Sequence, residues 1–300
     1  MRLAFIEELV AAAANDDSIA LVVGDLGYGV VESFATKFPR RFFNAGVAEQ
    51  NMMGLAAGLA SEGFHVFVYS IANFSTFRCA EQIRNDVDYH QLPVTVVAIG
   101  GGLAYGNLGY SHHAVQDFAL MRVMPNMLIA APGDPMEVRA CMRYLINNRQ
   151  PSYLRLGKAG EPCVHAHVPE VSPGKWLHIR KGEKSGGTYL VTGAPLDLVN
   201  KVVTTRPAMK AWSLCSMPLW SMEVKKTQAQ QIENFSTVVT VEDHLMDGGF
   251  GSWLLEAAVS QPELLPRIRV KSLDASVCGM VAKQSTLNAE GGLTVEALCG

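Results

Sequence analysis

The chain reads as an α/β protein of two domains, each a mainly parallel sheet flanked by helices. Two observations predict this. Short, continuously apolar runs alternate with helically spaced stretches, and strands of that kind are buried on both faces, as in parallel sheets. The alternation occurs twice, over residues 1–160 and 188–300, and the composition between them, over 161–187, shifts to Pro, Gly, His and Lys.

In the first half, Leu3 to Ala14 has helical spacing, and Ile19 to Gly24 is a buried strand ending in glycine, followed by Asp25. This leads to a turn at Asn44-Ala45-Gly46 and a helix of small and apolar residues reaching Gly63, with one acid, Glu49, close to its start. Phe64 to Tyr69 reads as a strand, Thr76 to Tyr89 as a charged amphipathic helix, and Val94 to Ile99 as the next buried strand. His113 to Arg122 is a short helix and Met127 to Ala130 a strand. Pro132 and Asp134 help to start a helix that runs to Asn148, and Tyr153 to Leu156 closes the set.

The segment 161–187, with V-P-E-V-S-P-G-K and K-G-E-K-S-G-G, reads as a linker with room for one hairpin. Beyond it the expected elements are T-Y-L-V-T-G, A-M-K-A-W-S-L, a helix from Ser221, S-T-V-V-T-V-E, a helix after G-G-F-G, and R-I-R-V-K-S-L. No internal repeat is evident.

Composition narrows the function classes. With 49% apolar and 18% charged residues, the chain is expected to be soluble, with enough apolar mass for two cores. A net charge of −3 gives no hint of a nucleic-acid or membrane-surface partner. No apolar run approaches the roughly 18 residues of a membrane span. Two acids stand where a signal peptide would stay apolar, so a cytoplasmic location is expected. Six scattered cysteines with no C-x-x-C pair fit reduced thiols better than a disulfide framework.

The loop G-G-G-L-A-Y-G-N-L-G-Y-S-H-H follows the Val94 strand, where open parallel sheets place ligands. Its glycines would allow a ligand to approach the backbone closely, but they lack the spacing and Lys of a phosphate-binding P-loop. Ser111, His112 or His113, and Asp117 suggest a nucleophilic triad, yet G-Y-S-H-H lacks the final glycine of a nucleophile elbow, which argues against a hydrolase. Adjacent His112 and His113 point in different directions, so at most one serves a given site. Cys163, His165 and His167 alternate as zinc ligands could, but with no fourth ligand apparent an exposed linker is the simpler reading.

Glu49 has two readings. It could be a surface acid stabilised by the positive end of its helix. Its neighbours Val47, Ala48, Met52 and Met53 instead suggest a buried start, where a carboxyl must be bonded or protonated. The small residues Ala48, Gly54, Ala56, Ala57, Gly58 and Ala60 would let another backbone approach, so the helix is expected to form an interface.

Several motifs in order resemble one family. F-N-A-G-V-A-E-Q-N-M-M-G-L-A-A-G-L-A, Y-S-I-A-N-F-S-T-F, R-C-A-E-Q-I-R-N-D-V, the Gly-rich loop ending S-H-H, and L-M-R-V-M-P-N-M-L-I-A-A-P-G-D resemble the pyrimidine-binding domain of transketolase-like thiamine-diphosphate enzymes. Deoxyxylulose-phosphate synthase has a similar A-E-Q helix start. V-E-D-H-L-M-D-G-G-F-G resembles the C-terminal domain of the family, less sharply.

The resemblance implies roles. Thiamine diphosphate reacts through the thiazolium C2 carbanion, and a carboxyl bonded to ring nitrogen N1′ favours the tautomer that removes the C2 proton. Glu49 matches that carboxyl. Phe74 and Phe77 are candidates to stack on the aminopyrimidine. His112 matches the motif His that faces the reacting carbon. Asp25 matches an Asp near the substrate or the interface, and Arg155 and Lys158 fall where family members bind a phosphate end.

Departures also matter. Leu108 replaces a sugar-handling acid, and glycine near Gly100 replaces a second His, so a modified or less hydroxylated ketose, or a keto acid donor, fits at least as well as an ordinary pentose phosphate. The family's G-D-G motif for diphosphate and metal is missing: Gly24-Asp25 precedes Leu26, and Gly133-Asp134 precedes Pro135. The resemblance therefore implies the C-terminal subunit of a split transketolase in an α2β2 assembly. An N-terminal subunit would supply the diphosphate and Mg2+ site, and the pair would move a two-carbon ketol unit to an aldehyde. The β subunit of a 2-oxo-acid dehydrogenase and a non-catalytic scaffold subunit stay open as alternatives.

Overall fold

The computed structural model describes residues 1–183 and 187–299. The first half runs α1 (Arg2–Ala13), β1 (Ile19–Val23), α2 (Glu32–Lys37), β2 (Phe42–Asn44), α3 (Glu49–Ser61), β3 (His65–Ile71), α4 (Ala72–Thr76), α5 (Ala80–Gln82), β4 (Val94–Ile99), α6 (Asp117–Met121), β5 (Leu128–Ala130), α7 (Pro135–Asn147) and β6 (Ser152–Leu156). The second runs β7 (Leu177–Arg180), β8 (Thr188–Val191), α8 (Leu196–Thr205), β9 (Ser213–Ser216), β10 (Leu219–Trp220), α9 (Gln228–Ile232), β11 (Val238–Leu245), α10 (Phe250–Ala257), β12 (Ile268–Leu273), α11 (Gln284–Glu290) and α12 (Val295–Cys299).

Two sheets form, as expected. The first has the order β10-β5-β6-β4-β3-β1-β2 and the second β12-β11-β8-β9-β7. All pairings are parallel except β10 on β5 and β7 on β9. Successive side chains of the first sheet go to opposite faces. Val22, Val66, Val68, Val94 and Val96 join one apolar cluster, while Leu21, Val23, Phe67, Val97 and Ile99 join another. Covering both faces is what makes the strands read as unbroken apolar runs.

The structure departs from the sequence reading in several places. The stretch read as a linker contains β7, which is an edge strand of the second sheet. Its K-S-G residues, 184–186, lie outside the described residues. β10 leaves the second half and completes the first sheet beside β5, so the two halves interlock. The A-M-K-A-W-S-L segment becomes strand only from Ser213, and the expected helix at Ser221 is a tight turn over Glu223–Thr227 followed by α9. α2, β2, α11 and α12 are too short to be read, and α8 is missed although its buried Leu196, Val199, Val202 and Val203 have helical spacing.

The expected long helix over Thr76–Tyr89 is broken. A tight turn at Phe77–Cys79 follows α4, and a wide π turn at Ile83–Asp88 follows α5. Thr76 bonds its hydroxyl to the Ala72 carbonyl at 2.7 Å, a back-bond that bends helices. Helix α6 starts later than expected, because Ala114 is extended and exchanges both backbone bonds with Gly102. Helix α7 starts as read: Asp134 accepts the Glu137 N–H at 2.8 Å as its cap.

Candidate active site

In open parallel sheets the ligand crevice lies beyond the strand carboxyl ends, where strand order reverses. In the first sheet that point is β1, flanked by β2 on one side and β3 on the other. Asp25 follows β1, Glu49 follows β2, Phe74 follows β3, and His112 lies on the loop after β4. One edge of the sheet thus gathers most of the candidate residues.

Glu49 is the first residue of α3 and is only 5% exposed. Arg78 Nη1 lies 3.2 Å from each of its carboxylate oxygens. The Arg78 guanidinium also sits over the Phe74 ring, 3.9 Å from its centroid, a cation–π contact. Phe74 in turn meets the His112 imidazole edge-on, with centroids 5.0 Å apart. Glu49, Arg78, Phe74 and His112 therefore form one contiguous line. The sequence reading gives Arg78 no role. The signal available is its i, i+4 spacing from Phe74, which brings two side chains together along a helical path.

His112 is half-buried, and its Nδ1 lies 2.9 Å from Ser111 Oγ. Burial pushes its pKa below the ordinary imidazole range, with help from the charges of Arg78 and His113. It is therefore neutral near pH 7. His113 is fully buried and faces the Gly106 carbonyl, so the two histidines do diverge. Asn73 Nδ2 donates to the carbonyls of Ser111 and His113 at 3.2 and 3.0 Å, fixing the loop over α4. A cleft of about 300 Å³ opens here, lined by Asn73, Phe74, Phe77, Arg78, Tyr110 and Gln116 among others.

The other candidates fall out differently. Phe77 is 47% exposed on the cleft wall, whereas Phe74, on the same cleft, is half-buried. Asp25 has a φ of +53°, stabilised by a reciprocal pair with Asn44: its N–H donates to Asn44 Oδ1, and Asn44 Nδ2 donates to Asp25 Oδ1 at 2.9 Å. Lys158 is exposed and stands 5.1 Å from the Tyr105 ring, which also lies 6.2 Å from the His112 ring.

Arg155 corrects the sequence reading. It is 4% exposed, and its guanidinium donates to Asp117, Asp243 and the carbonyls of Ala114 and Asp243. A guanidinium so occupied between two buried carboxylates has no fork left for a phosphate. The same contacts remove Asp117 from any triad with Ser111 and His112. The role of the glycines changes too. A Cβ on Gly100 would lie 2.1 Å from Tyr105, on Gly101 2.7 Å from Arg155, and on Gly102 2.2 Å from Asp243. Close approach is needed, but by the chain's own side chains. His165 is docked on Asp134, with Nδ1 at 3.0 Å, while Cys163 is exposed.

Among the described residues no three His, Cys, Asp or Glu side chains converge as metal ligands. No helix among them is long and apolar enough to cross a membrane.

Helix α3 presents an open face. Val47 is 73% exposed, Ala48, Asn51 and Leu55 also face outward, and a Cβ added at Gly54 or Gly58 would meet nothing within 4 Å. Ala56, Ala57 and Ala60 instead pack inward, so the small residues serve two surfaces.

A buried carboxylate opening such a face, beside an aromatic–histidine line at the sheet's carboxyl edge, defines an α/β domain with its candidate site at the rim of an exposed helix face. Comparison with known proteins gives the family. Residues 1–160 match the transketolase pyrimidine-binding domain. A putative transketolase C-terminal section from Methanocaldococcus jannaschii is 34% identical over 87% of this chain and 82% of its own length. A subunit of an apulose-4-phosphate transketolase from Phocaeicola vulgatus is 30% identical over 87% and 84%. A split-gene transketolase, solved as an inactive β4 tetramer, superposes with a TM-score of 0.84 at 30% identity, covering 99% of this chain and 94% of that one. The chain belongs to the transketolase family, a family of thiamine-diphosphate enzymes, and corresponds to the C-terminal part of a split member.

Proposed function

We propose that this chain is the pyrimidine-side subunit of a split transketolase that transfers a two-carbon ketol unit from a ketose to an aldehyde. The observation that carries this reading is Glu49, a buried carboxylate bonded by one half-exposed arginine at the rim of an open helix face. Such a group is placed for a cofactor arriving from outside the chain. Thiamine diphosphate, when bound, would supply the nucleophilic carbanion that attacks the ketose carbonyl.

The chain's own residues have separable tasks. Glu49 would hold the aminopyrimidine through a hydrogen bond at its ring nitrogen N1′, and Arg78 holds the carboxylate in place. Phe74 offers a ring face beside it, with Phe77 a second candidate across the cleft. His112, neutral near pH 7, accepts or returns a proton at a substrate hydroxyl. Asp25 and Lys158 remain substrate-side candidates, Lys158 for an anionic end. Leu108 is 51% exposed at the position where the family's sugar acid is expected, which favours a donor with fewer or displaced hydroxyls. One relative is named for apulose 4-phosphate.

The partner is an N-terminal transketolase subunit holding the diphosphate and Mg2+, in an α2β2 assembly. No G-D-G stands in this sequence, and relatives named as a C-terminal section and as one subunit of a transketolase support the division. Activity is tested by mixing the chain with such a partner, thiamine diphosphate and Mg2+, and following ketol transfer to an aldehyde. Glu49→Gln should lower kcat by about 10²- to 10⁴-fold. Full activity of the Glu49→Ala complex would instead make this chain a scaffold.

A further inference from the structure

The loop that carries His112 is closed at its root by two backbone bonds, Gly102 N–H to Ala114 O at 2.8 Å and Ala114 N–H to Gly102 O at 2.9 Å. That root is not held by the first domain alone. Ala114 O also accepts from Arg155 Nη2 at 2.8 Å. Arg155, on β6, is fixed by Asp117 Oδ2 at 2.7 Å on one side and by Asp243 Oδ1 at 2.6 Å on the other. Asp243 belongs to β11, in the second sheet. Two residues on, Leu245 N–H donates to Val115 O at 3.0 Å, and between them His244 stacks on Phe118 at 5.1 Å.

The packing around this contact leaves no slack. Gly102 has a φ of +64°, and any Cβ there would collide with the Asp243 carboxylate. The glycines at the start of the loop admit Arg155 and Asp243. Tyr153 donates to the same Asp117 oxygen at 2.5 Å, so this partner of Arg155 is itself anchored. Two carboxylates flank one guanidinium, each with one buried oxygen that makes no hydrogen bond, so losing either contact to Arg155 would leave a buried charge uncompensated.

We infer that Asp243, in the second domain, is a positioning residue for His112: through Arg155 and Ala114 it sets where the loop holds the imidazole. The inference rests on the proposed role of His112, and it gives the second domain a task in the reaction without contact to substrate.

The test uses His112 itself. Its imidazole faces Phe74 and Arg78 from the α4 side, and Ser111, His113 and Tyr105 from its own loop; none of these is altered by Asp243→Asn or Arg155→Lys. In histidine side-chain NMR of the chain alone, the wild-type His112 should titrate below the ordinary imidazole value, and in both variants its midpoint should move up towards that value as the loop loosens. In the complex with its partner, kcat for ketol transfer should fall by about tenfold or more, while thiamine diphosphate affinity stays within about twofold. A merely structural loss would lower affinity and melting temperature together. An unchanged His112 midpoint in folded variants overturns the inference. Should neither variant fold, hydrogen exchange on the wild type decides: the Ala114 and Leu245 amides should open with one common free energy, and independent opening overturns it. If the wild-type complex transfers no ketol unit, the proposed function fails, while the His112 midpoint still judges the positioning.

Discussion

Arg78 places a single guanidinium nitrogen 3.2 Å from both carboxylate oxygens of Glu49. Arg78 is about half exposed and Glu49 is buried, so the cation reaches in from the side the helix leaves open. The same guanidinium covers Phe74, which makes Arg78 the joint between the acid and the aromatic–histidine line.

Removing that joint should have a modest cost in the chain alone. Arg78→Ala leaves Glu49 without its cation, and solvent screening at the exposed arginine limits the loss to about 1 kcal/mol. Urea denaturation measures it. The expected effect on activity is larger, because Glu49 and Phe74 both lose their anchor, and Arg78→Lys should recover only part. Unchanged kcat in Arg78→Ala would show that the joint is dispensable.

His65 should make the chain acid-sensitive. Burial lowers its pKa from 6.5 to about 4, so between those values the folded chain binds fewer protons than the unfolded one. The stability it contributes is complete above the unfolded value of 6.5 and is lost as pH falls towards 4, with a slope of at most about 1.4 kcal/mol per pH unit. Urea midpoints measured at neutral pH and near the folded-state pKa should therefore differ less in His65→Leu than in the wild type. Equal drops in the two proteins would exclude this residue as the source.

Gly58 separates folding from assembly. A Cβ there meets nothing within 4 Å, so Gly58→Ala should stabilise helix α3 by up to about 1 kcal/mol. Gly58→Leu should fold equally well yet fail to assemble with an N-terminal subunit in sedimentation velocity. Normal assembly of Gly58→Leu would place the partner elsewhere.

What the sequence discloses follows from where information is local. Strands such as Val94–Ile99 are legible because both faces are covered, leaving an uninterrupted apolar run. Glu49 is legible as an exception, an acid at an otherwise apolar helix start. Arg155 is misread because its partners, Asp117 and Asp243, lie 38 and 88 residues away, and no spacing rule links them. The G-G-G run reads as room for a ligand when the space is filled by Tyr105, Arg155 and Asp243, since a glycine records close approach without saying by what. β10 is invisible because so short a strand owes its position to β5, in the other half.

The central claim is that the cofactor site is shared, with Glu49 on this chain and the diphosphate and Mg2+ site on another. Calorimetric titration of thiamine diphosphate with Mg2+ into this chain alone, an N-terminal subunit alone, and their equimolar mixture tests it most directly. Tight binding is expected only in the mixture, and weakened there by Glu49→Ala. Tight binding by this chain alone would contradict the account.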